Sequence, residues 1–419
     1  MLIARWLVAG SLLVTATLPA QVTPPPAAKG APDRDIVVIG SRILDYKRHV
    51  DACLAEHCAP DKDIAATLAL AQAQFEAGNY RGARASLLAA RRRNARFAKQ
   101  YPVAVANLHH ANSVMAGHLG LADSEWSSAL DTVSAIKSGM AKDDPRVFLE
   151  LIELGDAYAR AGRFKGSEMQ YAGIARRAHK LGLDEIEGLA LLRVATLKTR
   201  LAEQNYAMFA SSARRAIDAL IARREPALQP YQVAARQLSF LLAAQTTPGP
   251  ELDRLIAQYP RQPAGARARL LYAPAIALTA SPQELGNRFD PSPSVVGMFN
   301  FNTGMPPMGM DSYVGQWIDV AFAIGTDGRI SEAHISRHGD HVALKGGWAE
   351  QVVRSVSVRR YAPQVQPSYG RERYTFTANM VAVTGSRLMA RDPTPRLVRA
   401  DLEPETTAST TASNLKPTS

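Results

Sequence analysis

A length of 419 residues excludes a single small domain and predicts two or three folded units. Hydrophobic residues at 47% and charged residues at 21% are typical of globular proteins, and the abundance of Ala, Leu and Arg in the first two thirds favours helices. The formal net charge of +11 predicts an anionic partner or surface, which for an exported chain would be an envelope surface and not nucleic acid.

The N-terminal 20 residues have the pattern of a secretory signal peptide. Arg5 precedes an apolar run from Trp6 to Ala16, and small residues precede Gln21, where we expect cleavage. The 15 residues from Trp6 to Ala20 would form a helix of roughly 22 Å, short of the roughly 30 Å hydrocarbon core of a bilayer. We therefore expect a periplasmic protein, with a retained inner-membrane anchor facing the periplasm as the alternative.

The two cysteines, Cys53 and Cys58, are the only candidates for a disulfide in an exported chain. Residues five apart in a continuous helix are too distant to be bridged, so the bond requires a turn, which Pro60 indicates. A metal site formed by both thiols with His57 is the alternative, although three clustered ligands without a fourth are a weak zinc pattern.

A run of basic residues between 81 and 100 concentrates the positive charge. It contains no Asp or Glu. It predicts either a surface for an anionic envelope component or a solvated helix face. Its members are Arg81, Arg84, Arg91, Arg92, Arg93, Arg96 and Lys99.

The segment 21–45 is predicted to be a linker that carries one strand. Its Pro/Ala-rich part gives way to Asp35–Ile43, where a β-branched run ends at Gly-Ser. The residues of this run, which we consider as a strand-pairing segment, are Ile36, Val37, Val38 and Ile39.

Residues 46–275 are predicted to be helical, because apolar residues recur at steps of three and four and Gly or Pro separates the segments. One motif occurs twice at an offset of 84 residues, at 70–87 and at 154–171. The second copy, LGDAYARAGRF at 154–164, resembles the tetratricopeptide pattern. The resemblance implies an α-solenoid that binds a protein or peptide, with another helix pair at about 103–138 and further helices at 186–224 and 230–275.

The repeated motif assigns packing roles to small and aromatic residues. Small residues let paired helices approach, glycines permit the turn between them, and the aromatic residue after the turn packs beneath the next helix. The residues assigned these roles are Gly78, Tyr80, Ala83, Gly155, Gly162 and Phe164.

A Pro/Gly-rich linker at 276–310 precedes a small domain at 311–388. Strands are predicted at Trp317–Ile324, Ile330–Ser336 and Arg373–Val383, with a helix at Trp348–Val356, which makes a ββαβ unit. This unit resembles the C-terminal domain of TonB energy transducers, on VAFAIGTDGRI and on Arg-Tyr-Ala-Pro at 360–363. The residues that carry the resemblance are Asp327, Gly328, Arg329, Arg360, Tyr361 and Pro363.

The TonB resemblance suggests a use for the N-terminal strand. Ile36–Ile39 followed by Gly-Ser-Arg resembles the start of a TonB-dependent receptor, whose box pairs with the edge of a TonB C-terminal domain by strand addition. The implied partners are a TonB-dependent receptor or another component of the TonB system. A plain strand without a partner is the alternative.

The sequence contains no motif that predicts catalysis. HExxH, GxSxG, Walker and dinucleotide-binding patterns are absent, and we identify no cofactor and no small-molecule substrate. Three histidines and one aspartate near the second predicted strand are candidate metal ligands. Only a turn at Gly339 could bring them together around a metal ion, and we expect a solvent-exposed loop without metal there. These residues are His334, His338, Asp340 and His341.

Residues 389–419 are rich in Thr, Ser, Pro and Ala, and we expect a disordered tail.

The whole pattern predicts a multidomain protein, α then α+β. Its expected function is that of a non-catalytic periplasmic adaptor connected with TonB-dependent transport, whose helical repeats bind a partner and whose TonB-like domain engages edge strands. A divergent membrane-anchored TonB energy transducer is the alternative, but the long Pro/Lys spacer of such transducers is absent.

Overall fold

A computed structural model describes residues 34–247, 249–274, 276, 278, 313–345, 347–382, 389–392 and 395–402. Within these ranges a helical region comes first, and an antiparallel sheet with one further helix follows. The prediction of an α region followed by an α+β region is confirmed at that level. The predicted signal peptide and almost all of the 276–310 linker lie outside the described residues.

Eleven α-helices form the first region of the described chain. They are α1 (Arg34–Ala55), α2 (Pro60–Glu76), α3 (Tyr80–Asn94), α4 (Pro102–His118), α5 (Ala122–Gly139), α6 (Pro145–Arg160), α7 (Phe164–Lys180), α8 (Asp184–Gln204), α9 (Tyr206–Ile221), α10 (Gln229–Ala244) and α11 (Gly249–Ala257).

Proline and glycine mark the ends of three successive helix pairs, α2–α3, α4–α5 and α6–α7. The first helix of each pair begins at a proline, which fits the first turn because its fixed φ is helical and the missing N–H is not needed there. The turn after that helix contains a glycine with positive φ, at 78, 120 and 162. These glycines lie 42 residues apart, so the offset of 84 between the two motifs spans two units, and the helix pair predicted near 103–138 is α4 and α5.

In the second region, the described residues form eight strands and the helix α12 (Trp348–Ser357). The strands are β1 (Leu270–Tyr272), β2 (Trp317–Ile324), β3 (Ile330–His338), β4 (Arg360–Tyr361), β5 (Ser368–Thr377), β6 (Met380–Ala382), β7 (Met389–Arg391) and β8 (Arg396–Leu402).

The main sheet has the strand order β3-β2-β5-β8, and all its pairs are antiparallel. Alternation along β2 sends successive side chains to opposite faces. Ile318 and Val320 pack with Trp348 and Val352 of α12 in one core, whereas Trp317 joins the core formed by α2, α3 and α4. The sheet is therefore a layer between α12 and the helical region.

The strand predicted at Asp35–Ile43 is wrong, because these residues belong to α1. β-branched residues disfavour a helix by only some tenths of a kcal/mol each, so packing elsewhere in the helix can override them. No proline interrupts α1, and its second half packs on α2 with Val50 buried. The segment Ile36–Ile39 is therefore helical, and we do not propose strand pairing by it.

Two further expectations about secondary structure are wrong. The helix expected to reach residue 275 ends with α11 at Ala257, because prolines at 260 and 263 cannot continue it, and β1 then pairs with β4. Within the tail expected to be disordered from 389 onward, Met389–Arg391 forms β7 and Arg396–Leu402 forms β8, and residues 403–419 lie outside the described ranges. β8 contains too few apolar residues to be recognised alone, but β5 supplies its backbone partners and Leu397, Ala400 and Leu402 pack into existing cores.

Candidate functional site

Arginines of the sheet region bind the carbonyl ends of α2, α4 and α6. The last carbonyls of a helix have no partner within the helix and carry the negative end of its dipole, so a cation is favoured there. Four arginines from β3, β5, β7 and β8 occupy these ends. The contacts are Arg373 to the oxygens of Phe75 and Glu76, Arg337 to Glu76 O at 3.3 Å, Arg391 to Leu119 O at 3.0 Å, and Arg396 to Arg160 O at 3.0 Å.

Arg373 is the most buried of these arginines, and its whole residue has 0% exposure. It forms a two-pronged ion pair with Asp319 on β2, with Nε to Oδ1 at 2.6 Å and Nη2 to Oδ2 at 2.9 Å. Its guanidinium carbon lies 3.8 Å from the ring centre of Trp317 and 5.3 Å from that of Phe75. Because Asp319 is equally buried, each charge depends on the other for stabilisation.

The turn between α2 and α3 fits directly against this ion pair. A Cβ on Gly78 would lie 1.9 Å from Trp317 Nε1, so only glycine fits beneath the indole. Tyr80, at the start of α3, is 2% exposed and hydrogen-bonds Thr375 of β5 at 2.9 Å. The repeat-turn residues Gly78 and Tyr80 therefore contact the sheet as well as the neighbouring helix.

His118 completes the contact between helices and sheet. Its Nδ1 lies 2.9 Å from Thr375 Oγ1, and its ring stacks on Tyr80 with centroids 5.1 Å apart. Burial, followed by the positive charges of Arg373, Arg396 and Arg160, lowers the pKa of His118 to about 3. The imidazole is therefore neutral at pH 7.

The other repeat residues have different surroundings. Ala83 is fully buried, and a Cβ on Gly155 would lie 2.4 Å from the ring of Tyr171, so these two positions do allow helices to approach closely. Gly162 has the positive φ of a turn but no heavy atom within 4 Å of an added Cβ. Phe164 is 37% exposed, so it is much less buried than Tyr80, and its packing beneath a following helix stays a prediction.

The six residues that carry the TonB resemblance lie together at one end of the sheet. Tyr361 donates its N–H to Gly328 O at 2.8 Å, and a Cβ on Gly328 would lie 2.0 Å from Tyr361 O. Asp327 Oδ1 accepts the N–H of Arg329 at 3.0 Å, which shapes the hairpin turn. Pro363 O accepts the N–H of Gln262 at 2.7 Å.

Asp253 of α11 ties this end of the sheet to the helices. It accepts from Arg329 at 2.7 Å and from Arg360 at 3.2 Å. The turn motif therefore serves packing against α11, and the sequence alone gave no indication of this partner.

The two edges of the main sheet differ in what covers them. β8 pairs with the outer side of β5 over seven residues and also packs on the helices through Ala400 and Leu402. β3 pairs only with β2, and none of the segments that the structure describes pairs with its other side. The β3 edge therefore presents unpaired backbone groups within the described protein.

The direction of the backbone groups on β3 follows from two hydrogen bonds. Trp317 O accepts the N–H of Gly339, so Trp317 faces β3, whereas Gln316 O accepts the N–H of Phe376 and faces β5. Because this direction alternates along an antiparallel strand, Phe322 also faces β5. Ala333 lies opposite Phe322, so its own N–H points outward from the open edge.

Helix α6 carries three acidic residues on one face. Glu150, Glu153 and Asp156 follow each other along α6, and burial, together with the charge of Glu153, raises the pKa of Glu150 to about 7. Asp156 pairs with Arg193 of α8 at 3.2 Å, but Glu150 and Glu153 each keep one buried oxygen without a hydrogen-bond partner in the structure. This half-buried acidic stripe could accept basic or amide groups of a partner.

Cys53 and Cys58 form a disulfide across the turn after α1, with their Cα atoms 5.2 Å apart. The thiols are joined to each other, which excludes the alternative of a metal site using both with His57. Of the candidate metal residues near β3, His334 and His338 are exposed and His338 Nδ1 contacts Gly339 O. The described part of the chain contains no group of three His, Cys, Asp or Glu placed to hold a metal ion.

The residues that hold the two regions together could not be recognised from the sequence. Trp317, Asp319 and Arg373 belong to predicted strands, but alternation alone cannot tell a solvent-facing strand position from one that faces a second domain. One signal was present, because alternation puts Trp317 and Asp319 on the same face of β2, and a large aromatic residue is unusual on a solvated face.

No family model matches this chain, and no curated protein is similar to it.

Proposed function

We propose that this protein is a non-catalytic periplasmic adaptor, in which a tetratricopeptide-like helical body supports a TonB C-terminal-like domain. The chain order of β2, β3, α12 and β5 supports the TonB-like part. Three successive helix pairs with glycine turns support the helical-repeat part, although their spacing of 42 residues is longer than the tetratricopeptide unit of about 34. The partner is an extended segment of an envelope protein, such as a TonB-dependent receptor or a component of the TonB system. It pairs with the open edge of β3.

The observation that carries the proposal is the difference between the two sheet edges. β8 satisfies the backbone of β5, while the N–H of Ala333 points outward from β3 without a partner among the described residues. Strand addition at such an edge obtains its affinity from main-chain hydrogen bonds. The buried contacts of Arg373 and Asp319 hold the sheet in one orientation, so the edge is presented by a rigid support.

The disulfide supports the periplasmic part of the proposal, because such bonds persist in oxidising compartments. The predicted signal peptide agrees with export. None of the helices in the described ranges is long and apolar enough to cross a bilayer.

The experiment tests binding at the β3 edge with peptides. Synthetic N-terminal segments of TonB-dependent receptors from the same cells are titrated into the mature protein, and affinity is measured by fluorescence anisotropy. Ala333→Pro removes the outward N–H and leaves the β2–β3 hydrogen bonds in place, so we expect binding to weaken about fivefold or more.

Ala333→Val is the matched control, because it changes the side chain but keeps the N–H, and it should bind within about twofold of the wild type. Far-UV circular dichroism verifies that both variants fold. Equal affinity of Ala333→Pro and Ala333→Val, or no saturable binding by any of these peptides, would contradict strand addition at β3.

A further inference from the structure

A cavity of about 270 Å³ lies between the start of α3, the turn after α4 and the segments that flank the sheet. This volume is below the roughly 300–1,000 Å³ of pockets for drug-sized ligands, so the cavity suits a small molecule. Its lining residues are Arg81, Arg84, Ala85, Leu88, Leu119, Leu121, Val314 and Arg391.

The charged wall of the cavity consists of arginines without an acidic residue. Arg84 donates from Nη2 to Ser124 Oγ at 3.3 Å, but its buried Nε has no hydrogen-bond partner among the described residues. No carboxylate of the described chain forms an ion pair with Arg81 or Arg84. Burial, followed by the charge of Arg91, lowers the pKa of Arg84, as expected for a guanidinium whose positive charge is not compensated.

The contrast within α3 shows that this lack of acidic partners is local. Further along the same basic run, Arg91 pairs with Asp131 at 3.0 Å and Arg93 pairs with Asp63 at 2.7 Å. The fold therefore supplies carboxylates to the second half of the run and leaves the cavity end of the helix positive.

The remaining wall is apolar. Leu88, Leu119, Leu121 and Val314 line it, and none of them offers a side-chain hydrogen bond. A ligand that fits both walls has an anionic head and a short hydrocarbon chain. A carboxylate matches the fork of a guanidinium through two parallel hydrogen bonds.

We propose that this cavity binds a small aliphatic carboxylic acid, whose carboxylate pairs with Arg81 and Arg84 and whose alkyl chain packs on the leucines. The site does not depend on strand pairing at β3, because no residue of β3 lines it. It adds a small-molecule site to a protein for which the sequence indicated none.

The test titrates hexanoate into the mature full-length protein by isothermal titration calorimetry at pH 7. 1-Hexanol has the chain without the charge, and acetate has the charge without the chain. We expect one saturable site for hexanoate, with 1-hexanol and acetate each at least tenfold weaker. Equal binding of either control ligand, or no hexanoate binding, overturns the proposal.

Three variants, each of which removes one positive charge, test whether hexanoate binds in this cavity. Arg84→Gln should weaken hexanoate binding about tenfold or more, because a charge-assisted hydrogen bond is lost. Arg92→Gln removes the same charge from an exposed position of α3 outside the cavity and should bind within about twofold of the wild type. Hexanoate affinities that are the same for Arg84→Gln and Arg92→Gln would refute the assignment.

Arg81→Gln provides an independent measurement if Arg84→Gln does not fold. Arg81 is exposed, and its replacement removes no hydrogen bond or ion pair seen in the structure. We expect it to weaken hexanoate about threefold, in line with an exposed charge pair. An unchanged affinity in Arg81→Gln, with Arg84→Gln unfolded, would count against the site.

Discussion

The turns at Gly78 and Gly162 have nearly the same backbone conformation but opposite surroundings. Their φ angles are +75° and +74°, and each follows the first helix of a pair. Gly78 lies against the indole of Trp317, whereas no heavy atom lies within 4 Å of a Cβ added to Gly162. The aromatic residues that follow differ in the same way, since Tyr80 is buried and Phe164 is 37% exposed.

This difference shows that the motif itself encodes a helix turn, and that docking of the sheet decides what else the turn does. The sheet covers the turns after α2 and α4, where Met380 donates its N–H to Gly120 O at 2.9 Å. At the end of α6 the sheet supplies Arg396, which donates to Arg160 O at 3.0 Å. The same local sequence is therefore an interface in one copy and a surface in the other.

Arg373→Met should have the largest effect on the contact between the sheet and the turn at Gly78. It leaves Asp319 buried without its main partner, and such a loss costs about 3–5 kcal/mol of stability. Arg337→Met is the milder comparison. The part-buried Arg337 loses one hydrogen bond to Glu76 O, worth about 1 kcal/mol, and a longer ion pair with Asp319 at 4.0 Å, but Asp319 keeps its pair with Arg373. Chemical denaturation measures both, and equal losses would show that the Arg373–Asp319 pair does not anchor the sheet.

Gly78→Ala and Gly162→Ala test the comparison of the two turns directly. Both substitutions place a Cβ in the left-handed region, which costs about 1–2 kcal/mol. Gly78→Ala must also displace the indole of Trp317, which adds about 1–2 kcal/mol for overpacking. If thermal unfolding shows equal destabilisation of the two variants, Gly78 is not packed as the structure describes.

The pH dependence of stability tests the neutral state of His118. The unfolded chain takes up a proton near pH 6.5, whereas the folded pKa is about 3, so unfolding binds a proton between these values. Stability is therefore lost as pH falls below 6.5, by about 1.4 kcal/mol per pH unit from this group, or about 2 kcal/mol by pH 5. His118→Gln should remove that part of the slope in denaturation measured from pH 7 to pH 5, and an unchanged slope would contradict it.

Tyr80→Phe has the smallest expected effect on the interface. It removes the hydrogen bond to Thr375, but Thr375 keeps its contact with His118, so the loss is about 1 kcal/mol. The equivalent change at the second turn, Phe164→Leu, should alter stability by less than about 0.5 kcal/mol because the side chain is partly exposed. A larger loss from Phe164→Leu than from Tyr80→Phe would reverse the comparison.

Several parts of the fold could be predicted because their signals are local. Proline starts and glycine turns delimit the helix pairs, and strict alternation with a Thr-Asp-Gly turn identifies β2 and β3. The disulfide also follows from local geometry, since a turn after α1 brings Cys53 and Cys58 together. The wrong assignments involve segments with weak or ambiguous patterns, at Asp35–Ile43 in α1 and at Arg396–Leu402 in β8.

The sequence by itself determined the order of the fold, with a helical region first, an antiparallel sheet after it and glycines at the turns. These features depend on residues close together in the chain. Only the tertiary structure decided that β8 covers one edge of the sheet while β3 stays open, and that Arg373 crosses from the sheet to the end of α2. The contact of Arg373 with Phe75 joins residues 298 positions apart, and its stability comes from burial and charge pairing that appear only when both regions are packed together.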